Sequence, residues 1–305
     1  MLSIKEYLKE PSKIGQSLLI HFGSFLPDKL YLKLYYRFCM GEKLHLDNPV
    51  RYNEKLQWLK LYYRDPKLTT YVDKSLVKEY VKDVIGEQYV IPTIDVWNSI
   101  YDIDWDKLPN QFVLKTTNAG GNYGIVICKN KMIFDKESAI EKLKIGLSLN
   151  LYKISREWPY KNIQPRIIAE KYMEDSETKE LRDYKFFCFD GEVKALFVGT
   201  ERQKPGEDVK FDFFDADYNH LPFKQGHEQA AVIPSKPKSF ELMKELASKL
   251  SKGIPQVRID LYEVNGKPYF GEMTFFHFGG VMPFEPEEWD YKFGEWLSLP
   301  SKRMK

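Results

Sequence analysis

The stretch "VRIDLYEVNGKPYFGEMT", Val257 to Thr274, sets four polar side chains at strand spacing on apolar runs: Arg258 and Asp260, then Glu272 and Thr274 beyond an Asn265-Gly266 turn signal. Residues two apart on a strand share a face, so each pair projects together. If both pairs share one face, the sheet presents two carboxylates, a hydroxyl and a guanidinium. That set could hold a divalent cation and steady a phosphate. The plainer reading is the solvated face of a half-buried antiparallel hairpin, and the stretch alone supports both. A two-residue Asn-Gly turn opposes Val264 to Lys267. Every opposed pair then sums to an odd number, and Glu272 leaves the face of Asp260. A shared site needs an even-sum register, from a three-residue loop or a bulge, with Gly266 suited to the left-handed position of a G1 bulge. The expectation is a hairpin that is not a plain two-residue turn, with Asp260 and Glu272 on one face beside Arg258 and Thr274.

A second chemical stretch is "FVLKTTNAGGNYGIVICKNK", Phe112 to Lys131. A strand carrying Lys115 runs into a loop with Gly120, Gly121 and Gly124, and "IVIC" returns. Glycines let backbone amides close around an anion, and a lysine adds the point charge that phosphates favour. The loop is neither a Walker A motif nor a GxGxxG opening a helix. A simple turn is the alternative.

The elements that must position these groups are legible as a mixture. Asp73 opens a helical pattern through Leu76, Val77, Tyr80, Val81 and Val84 that ends at Gly86. "YVIPTIDVW" and "FVLKTT" read as strands, Asp135 caps a helix with Ile140, Leu143 and Leu147, and "RIIAEKYM" is a short buried strand. "YKFFCFDGEVKALFVGT" is a hairpin turning at Asp190-Gly191, and Lys236 to Gly253 holds a helix with Phe240, Met243, Ala247 and Leu250 on one side. Helices alternating with antiparallel hairpins predict an α+β fold rather than a doubly wound parallel sheet.

Composition narrows the partners. A chain of 305 residues is long enough for two lobes. A net charge of +2 lacks the basic excess of a duplex binder, so no nucleic-acid partner is expected. Cys39, Cys128 and Cys188 show no CxxC spacing, which fits a reducing compartment and gives neither a disulfide frame nor a zinc site. "MLSIKEYLKEPSK" is charged where a secretory signal needs an apolar core. No run approaches the roughly 18 apolar residues of a membrane span. Ile14 to Phe38 is aromatic-rich and basic toward its end, and reads as one or two short helices on the body. Contact of that surface with a membrane is the alternative.

The order of these parts resembles the ATP-grasp superfamily: a helix opening with Asp73-Lys74, a Lys-bearing strand with a glycine-rich return, "AEKYM", and a final Arg-x-Asp hairpin with Glu-x-Thr. More narrowly, "YNEKLQWLKLYYRDPKLTTYVDKSLVKEYVKDVIGEQYVIPTI" with "FVLKTTNAGG" and "DYKFFCFDGEV" looks like the TupA-like, teichuronopeptide-biosynthesis type. The resemblance runs from Lys43 to Gly280. It implies an ATP-grasp fold of two mixed or antiparallel α+β lobes clamping a nucleotide, with a helical N-terminal segment. The divisions it suggests are 1–70, 71–165 with the glycine-rich loop, and 166–305 with the adenine hinge and metal site.

What the resemblance implies for the site is specific. Lys74 and Lys115 contact ATP phosphates under the loop Gly120, Gly121 and Gly124. Backbone around Lys171 and Met173 meets adenine, with Glu170 on its amino edge, and Asp183 meets the ribose. Arg258 and Lys115 act on the transferring phosphate, and Asp260, Glu272 and Thr274 hold magnesium. The family commonly has Asn where this chain has Thr274, a shorter ligand. The implied activity is an ATP- and Mg²⁺-dependent carboxylate–amine ligase in cell-surface polysaccharide or teichuronopeptide-like precursor synthesis. A phosphotransferase acting on a sugar or amino acid, or a polysaccharide glycosyltransferase, is the alternative. Its partner would be a small-molecule or glycan/peptide precursor, lipid-linked in one form, and its place the cytoplasm or the inner face of the membrane.

Other patterns have plainer readings. His277 in "FFHFGG" is a substrate contact or a packing residue. Asp215-Ala216-Asp217, Asp102-Ile103-Asp104 and Asp104-Trp105-Asp106 match the DxD of sugar-nucleotide enzymes but read as turns. Glu201 to Lys210 reads as a solvated loop, or as a lid over the substrate.

Overall fold

A computed structural model of the chain describes residues 11–121, 123–177, 181–201 and 208–302. The central part of the loop read as a lid, 202–207, lies outside the described residues. Two helices, α1 (Pro11–Phe22) and α2 (Asp28–Met40), form the N-terminal pair, followed by α3 (Tyr52–Tyr62), α4 (Lys67–Val72) and α5 (Val77–Ile85). The Asp73 carboxylate accepts from the backbone N–H of Ser75 and Leu76, and Gly86 ends α5 with φ 106°. Gly86 stops the helix as the sequence suggests, whereas Asp73 closes the turn ahead of it and the helix proper begins at Val77.

The first sheet has the antiparallel order β1-β4-β2-β3, from β1 (Thr93–Trp97), β2 (Phe112–Thr116), β3 (Ile125–Cys128) and β4 (Ile167–Lys171). β4 thus lies between β1 and β2, although the sequence division at 166 assigned it to the second lobe. Helix α6 (Lys136–Ser148), capped by Asp135 through the Ser138 N–H, covers this sheet with Ala139 and Leu143, and the short α7 (Leu151–Ser155) follows. Gly124 packs closely against that helix. A Cβ there would lie 2.2 Å from Thr116 Oγ1 and 3.0 Å from Gly146 of α6.

The second sheet has the order β7-β6-β5-β8-β9, from β5 (Arg182–Phe189), β6 (Glu192–Thr200), β7 (Lys210–Asp215), β8 (Val257–Val264) and β9 (Lys267–Thr274). All neighbours are antiparallel. One face carries Tyr184, Phe186, Cys188, Ile259 and Leu261 and packs on α8 (Phe240–Ser251) through Phe240, Met243, Ala247 and Leu250. The opposite face is aromatic at one end, where Phe187 meets Tyr52 of α3 and Phe293 of α9 (Glu288–Trp296) edge-on, at 6.4 and 5.2 Å between ring centres. Its other end is charged.

The β8–β9 hairpin corrects the turn expectation and keeps the shared face. Val264 does oppose Lys267, with Asn265 at φ 52° and Gly266 at φ 75°, so the turn is the plain two-residue one that Asn-Gly favours. Gly266 makes no G1 bulge. The register switches inside the strand instead: Leu261 opposes Phe270, but Asp260 opposes Glu272 and Arg258 opposes Thr274, leaving Gly271 as the extra residue of a bulge. A Cβ at Gly271 would meet Tyr262 Cε2 at 2.9 Å and the Asp260 carbonyl oxygen at 3.0 Å. Gly271→Ala is therefore expected to lower stability by about 1–3 kcal/mol through overpacking and to disturb the face carrying Glu272. Denaturant unfolding of the variant checks this, and an unchanged midpoint would contradict it.

Candidate active site

Strand register gathers the charges. On the cleft face of the second sheet, Lys185 of β5 opposes Asp260, Asp183 opposes Tyr262, and Glu272 and Thr274 of β9 complete the set. Asp183, Lys185, Arg258 and Asp260 are all buried. The Arg258 guanidinium donates from Nε to Asp260 Oδ1 at 2.7 Å and from Nη2 to Oδ2 at 2.8 Å, a bidentate pair. Nη2 also reaches Thr274 Oγ1 at 2.9 Å and Glu272 Oε1 at 3.3 Å, while Thr274 Oγ1 donates to Glu272 Oε1 at 3.2 Å. The Lys185 ammonium pairs with Asp260 and lies 3.4 Å from Asp183.

His277 is packed among aromatics and also lines the cleft. It is buried, its ring meets Phe187 and Phe197, and its Nδ1 accepts from Arg258 Nη1 at 2.7 Å. Burial, with Arg258 and Lys185 nearby, holds the imidazole well below its ordinary range. It stays neutral and orients the arginine.

The first sheet supplies the facing cations. The Lys115 ammonium of β2 binds Glu170 Oε2 of β4 at 2.7 Å, and Lys78 of α5 pairs with the other oxygen. Burial alone would raise the Glu170 carboxyl, but the two lysines outweigh it and lower it. Lys74 donates to the Ala119 carbonyl and stands 3.9 Å from Glu272 Oε2, so it ties the glycine-rich turn to the opposite sheet. Burial would likewise raise Glu272, yet Lys74, Lys185 and Arg258 bring its carboxyl down to about 2.

Lys74, Lys115, Gly120, Gly121, Asp183, Arg258, Glu272 and Thr274, all read from the sequence as site residues, line one cleft of about 430 Å³. Gly121, with φ 62° and open space where a Cβ would stand, leaves its backbone free to approach a ligand. Gly124 and Glu170 do not line the cleft: the first is spent on helix packing and the second anchors Lys115. Lys171 and Met173 border a separate recess of about 440 Å³ beside the Asn265 turn, and the Lys171 N–H is taken by the Pro92 carbonyl. The DxD patterns are turns. Asp215 accepts from the N–H of Asp217 and Asn219, and Asp104 from that of Lys107.

The donor set suits phosphates and one magnesium ion. Four cations, Lys74, Lys115, Lys185 and Arg258, converge with their charge matched by carboxylates. Of the residues read as metal ligands, Glu272 presents a carboxylate to the cleft with its side chain 30% exposed. Asp260 is 1% exposed, with both oxygens held by Arg258 and Lys185, and does not line the cleft. Magnesium keeps water and phosphate ligands, so this small protein contribution is enough. Lys185, Lys78, Glu157 and Tyr160 were missed in the sequence. Lys185 had a signal, standing two residues from Asp183 on one strand.

Two antiparallel sheets with flanking helices, meeting over a cationic cleft with an Arg-x-Asp/Glu-x-Thr hairpin, define an ATP-grasp protein. The family model described as TupA-like ATP-grasp matches residues 54–298, and the chain belongs to that family. No curated protein matches the chain. Similar solved structures include D-alanine–D-alanine ligase from Bacillus anthracis, at 16% identity and TM-score 0.39, with 68% of this chain and 58% of that one covered. The corresponding ligase from Helicobacter pylori has 17% identity and TM-score 0.42, with 82% and 69% covered. The D-cycloserine synthetase DcsG has 16% identity and TM-score 0.42, with 76% and 71% covered. The chain spans 58% of the Bacillus anthracis enzyme's length, under two thirds.

Proposed function

We propose that the chain is an ATP- and magnesium-dependent carboxylate–amine ligase that acts on a cell-surface polysaccharide or teichuronopeptide-like precursor. The observation that carries the ligase reading is the convergence of Lys74, Lys115, Arg258 and Glu272 on one cleft beside Gly120 and Gly121. Ligation of this kind proceeds by phosphoryl transfer from ATP to a carboxylate, giving an acyl phosphate and ADP, and an amine then displaces phosphate to form the amide. Such chemistry needs positioning and charge neutralisation rather than a protein nucleophile. Lys115 of the first sheet, braced by Glu170, and Lys74 of the turn before α5, bonded to the Ala119 carbonyl, steady the phosphates from one side. Arg258, held flat by Asp260 and His277, presents its fork from the second sheet. Glu272, with Thr274, would hold magnesium, which supplies charge neutralisation at the transferring group. For adenine the recess bordered by Lys171 and Met173 is proposed, without the Lys171 N–H, which the Pro92 carbonyl holds, and Asp183 is proposed for the ribose.

Magnesium with ATP is expected to raise the melting temperature of the wild type, since a ligand that binds only the folded state stabilises it. Lys115→Ala removes a phosphate contact and should abolish most of that rise. Thermal unfolding with and without nucleotide reads both effects. A folded variant with the full ATP response would remove Lys115 from the site.

The precursor's setting has support of its own. Phe22 and Phe25 are 69% and 81% exposed at the end of α1 and beyond, beside exposed Leu18, Leu30 and Leu34, and exposed Lys29, Lys33 and Arg37 flank them on α2. Among the described residues no helix is long and apolar enough to cross a membrane. An apolar patch with a basic border suits the surface of an anionic bilayer, and peripheral attachment at the inner face of the membrane is proposed. Sedimentation with phosphatidylglycerol-containing vesicles should carry the wild type down and leave the Phe22→Glu/Phe25→Glu variant in the supernatant. Equal behaviour of the two proteins would contradict the attachment.

A further inference from the structure

Another wall of the cleft holds a carboxylate that the nucleotide chemistry does not use. After α7, Arg156 adopts φ 57° and sends its own side chain to Asp28 at 3.3 Å, while Glu157 lines the cleft. Glu157 is 8% exposed. Its Oε1 accepts from Ser155 Oγ at 2.8 Å, and among the described residues no ion pair reaches the carboxylate and Oε2 has no partner. The cation that acts on it most, Lys60, is itself buried and gives its three N–H groups elsewhere: to Gln57 Oε1 at 3.0 Å and to the carbonyls of Ser155 and Gly279 at 2.9 and 2.7 Å. Buried charges are ordinarily paired, because burying a lone ion is costly. This one stands open to a ligand-sized space.

Its neighbours fit a small cation. Tyr160 lines the same cleft and lies within electrostatic reach of Glu157, Glu272 and Arg258. Among the described residues nothing hydrogen-bonds its hydroxyl. Phe276 and Phe278 add aromatic faces, which attract ammonium groups. Gly279, at φ 62°, leaves free the side from which a Cβ would stand 3.6 Å from Glu157 Oε1.

We propose that Glu157, with Tyr160 lining the same cleft, seats an ammonium group of the second substrate and takes up the proton that group must lose before its nitrogen attacks the acyl carbon, and so selects a primary amine over its N-acylated or hydroxyl analogue. The inference rests on the ligase reading, in which an amine is the attacking group. An uncharged analogue would leave the carboxylate unpaired, which is the kind of loss that makes a polar site discriminate strongly.

Thermal unfolding of the full chain saturated with magnesium and ATP tests the seat. The probes are glucosamine, lysine, glycinamide and putrescine, each beside its N-acetylated counterpart. At least one amine is expected to raise the melting temperature by about 2 °C or more, with its acetylated partner inert. Glu157→Gln should lose this rise and keep the rise due to ATP. The proposal is overturned if no amine shifts the wild type, if the shift survives in Glu157→Gln, or if that variant loses the ATP response too. Should Glu157→Gln not fold, Tyr160→Phe decides: a weakened amine response with full ATP response supports the seat, and an unchanged one overturns it. A wild type without any ATP response would instead refute the nucleotide site, a separate result.

Discussion

Glu272→Gln is expected to lower magnesium-dependent ADP formation by about 100-fold or more while leaving the circular dichroism spectrum unchanged. Glu272 is the carboxylate of the β8–β9 pair that faces the cleft, with Lys74 3.9 Å from Oε2 and Arg258 3.3 Å from Oε1. Burial works against its ionisation, but Lys74, Lys185 and Arg258 bring the carboxyl down to about 2. A depressed carboxyl stabilises the fold above its unfolded value, and that contribution fades only as pH falls toward 2. The group is therefore ionised throughout the neutral range, and any activity lost between pH 8 and 5 should belong to another residue. Gln keeps the size and one acceptor and deletes only the charge. ADP release titrated with magnesium reads the result, and a rate within a few-fold of the wild type would make the carboxylate a bystander.

Arg258→Ala is expected to cost stability as well as activity, by about 3–5 kcal/mol. The guanidinium holds both oxygens of Asp260 at 2.7 and 2.8 Å, donates to His277 at 2.7 Å and reaches Thr274 at 2.9 Å. Its removal leaves Asp260, 1% exposed, with Lys185 alone, and strips His277 Nδ1 of its donor. Arg258→Lys restores the charge without the fork, so it should recover part of the stability and little of the turnover. Urea unfolding of the two variants, with Asp260→Asn added to each, separates the pair from the site. A loss below about 1 kcal/mol for Arg258→Ala would show that the buried network is not what fixes this face.

Much of the frame was legible because local chemistry agreed with tertiary need. Gly86 ended α5, Asp73 closed the turn just before it, Asp135 capped α6, and Asp190-Gly191 turned β5 into β6 at φ 48° and 85°. The Arg-x-Asp and Glu-x-Thr pairs did come to one face. The sequence misled at the turn, where Asn265-Gly266 kept its favoured two-residue form and the register changed at Gly271 instead. An isolated glycine inside a strand is a recognised bulge signal, and here it stands directly before Glu272. The division at 166 did not foresee that β4 pairs within the first sheet, because a short apolar strand carries no mark of which sheet it joins. Lys78 to Glu170, or Lys60 to Ser155, are bonds across scores of residues between groups with no local signature. Glycine type alone does not separate Gly124, which lies against Gly146, from Gly120 and Gly121, which line the cleft.

Ligation differs from every alternative in the fate of one oxygen atom. Forming an acyl phosphate on a carboxylate and displacing it with an amine transfers a carboxylate oxygen to the released phosphate. Incubating the chain with magnesium, ATP, amines and a panel of ¹⁸O-labelled carboxylic acids, and reading products by mass spectrometry, should give ADP, an amide and ¹⁸O-bearing inorganic phosphate, all absent in Glu272→Gln. Phosphate retained on a sugar or amino acid hydroxyl, or amide formed with no ¹⁸O in the phosphate, would contradict carboxylate–amine ligation at this cleft.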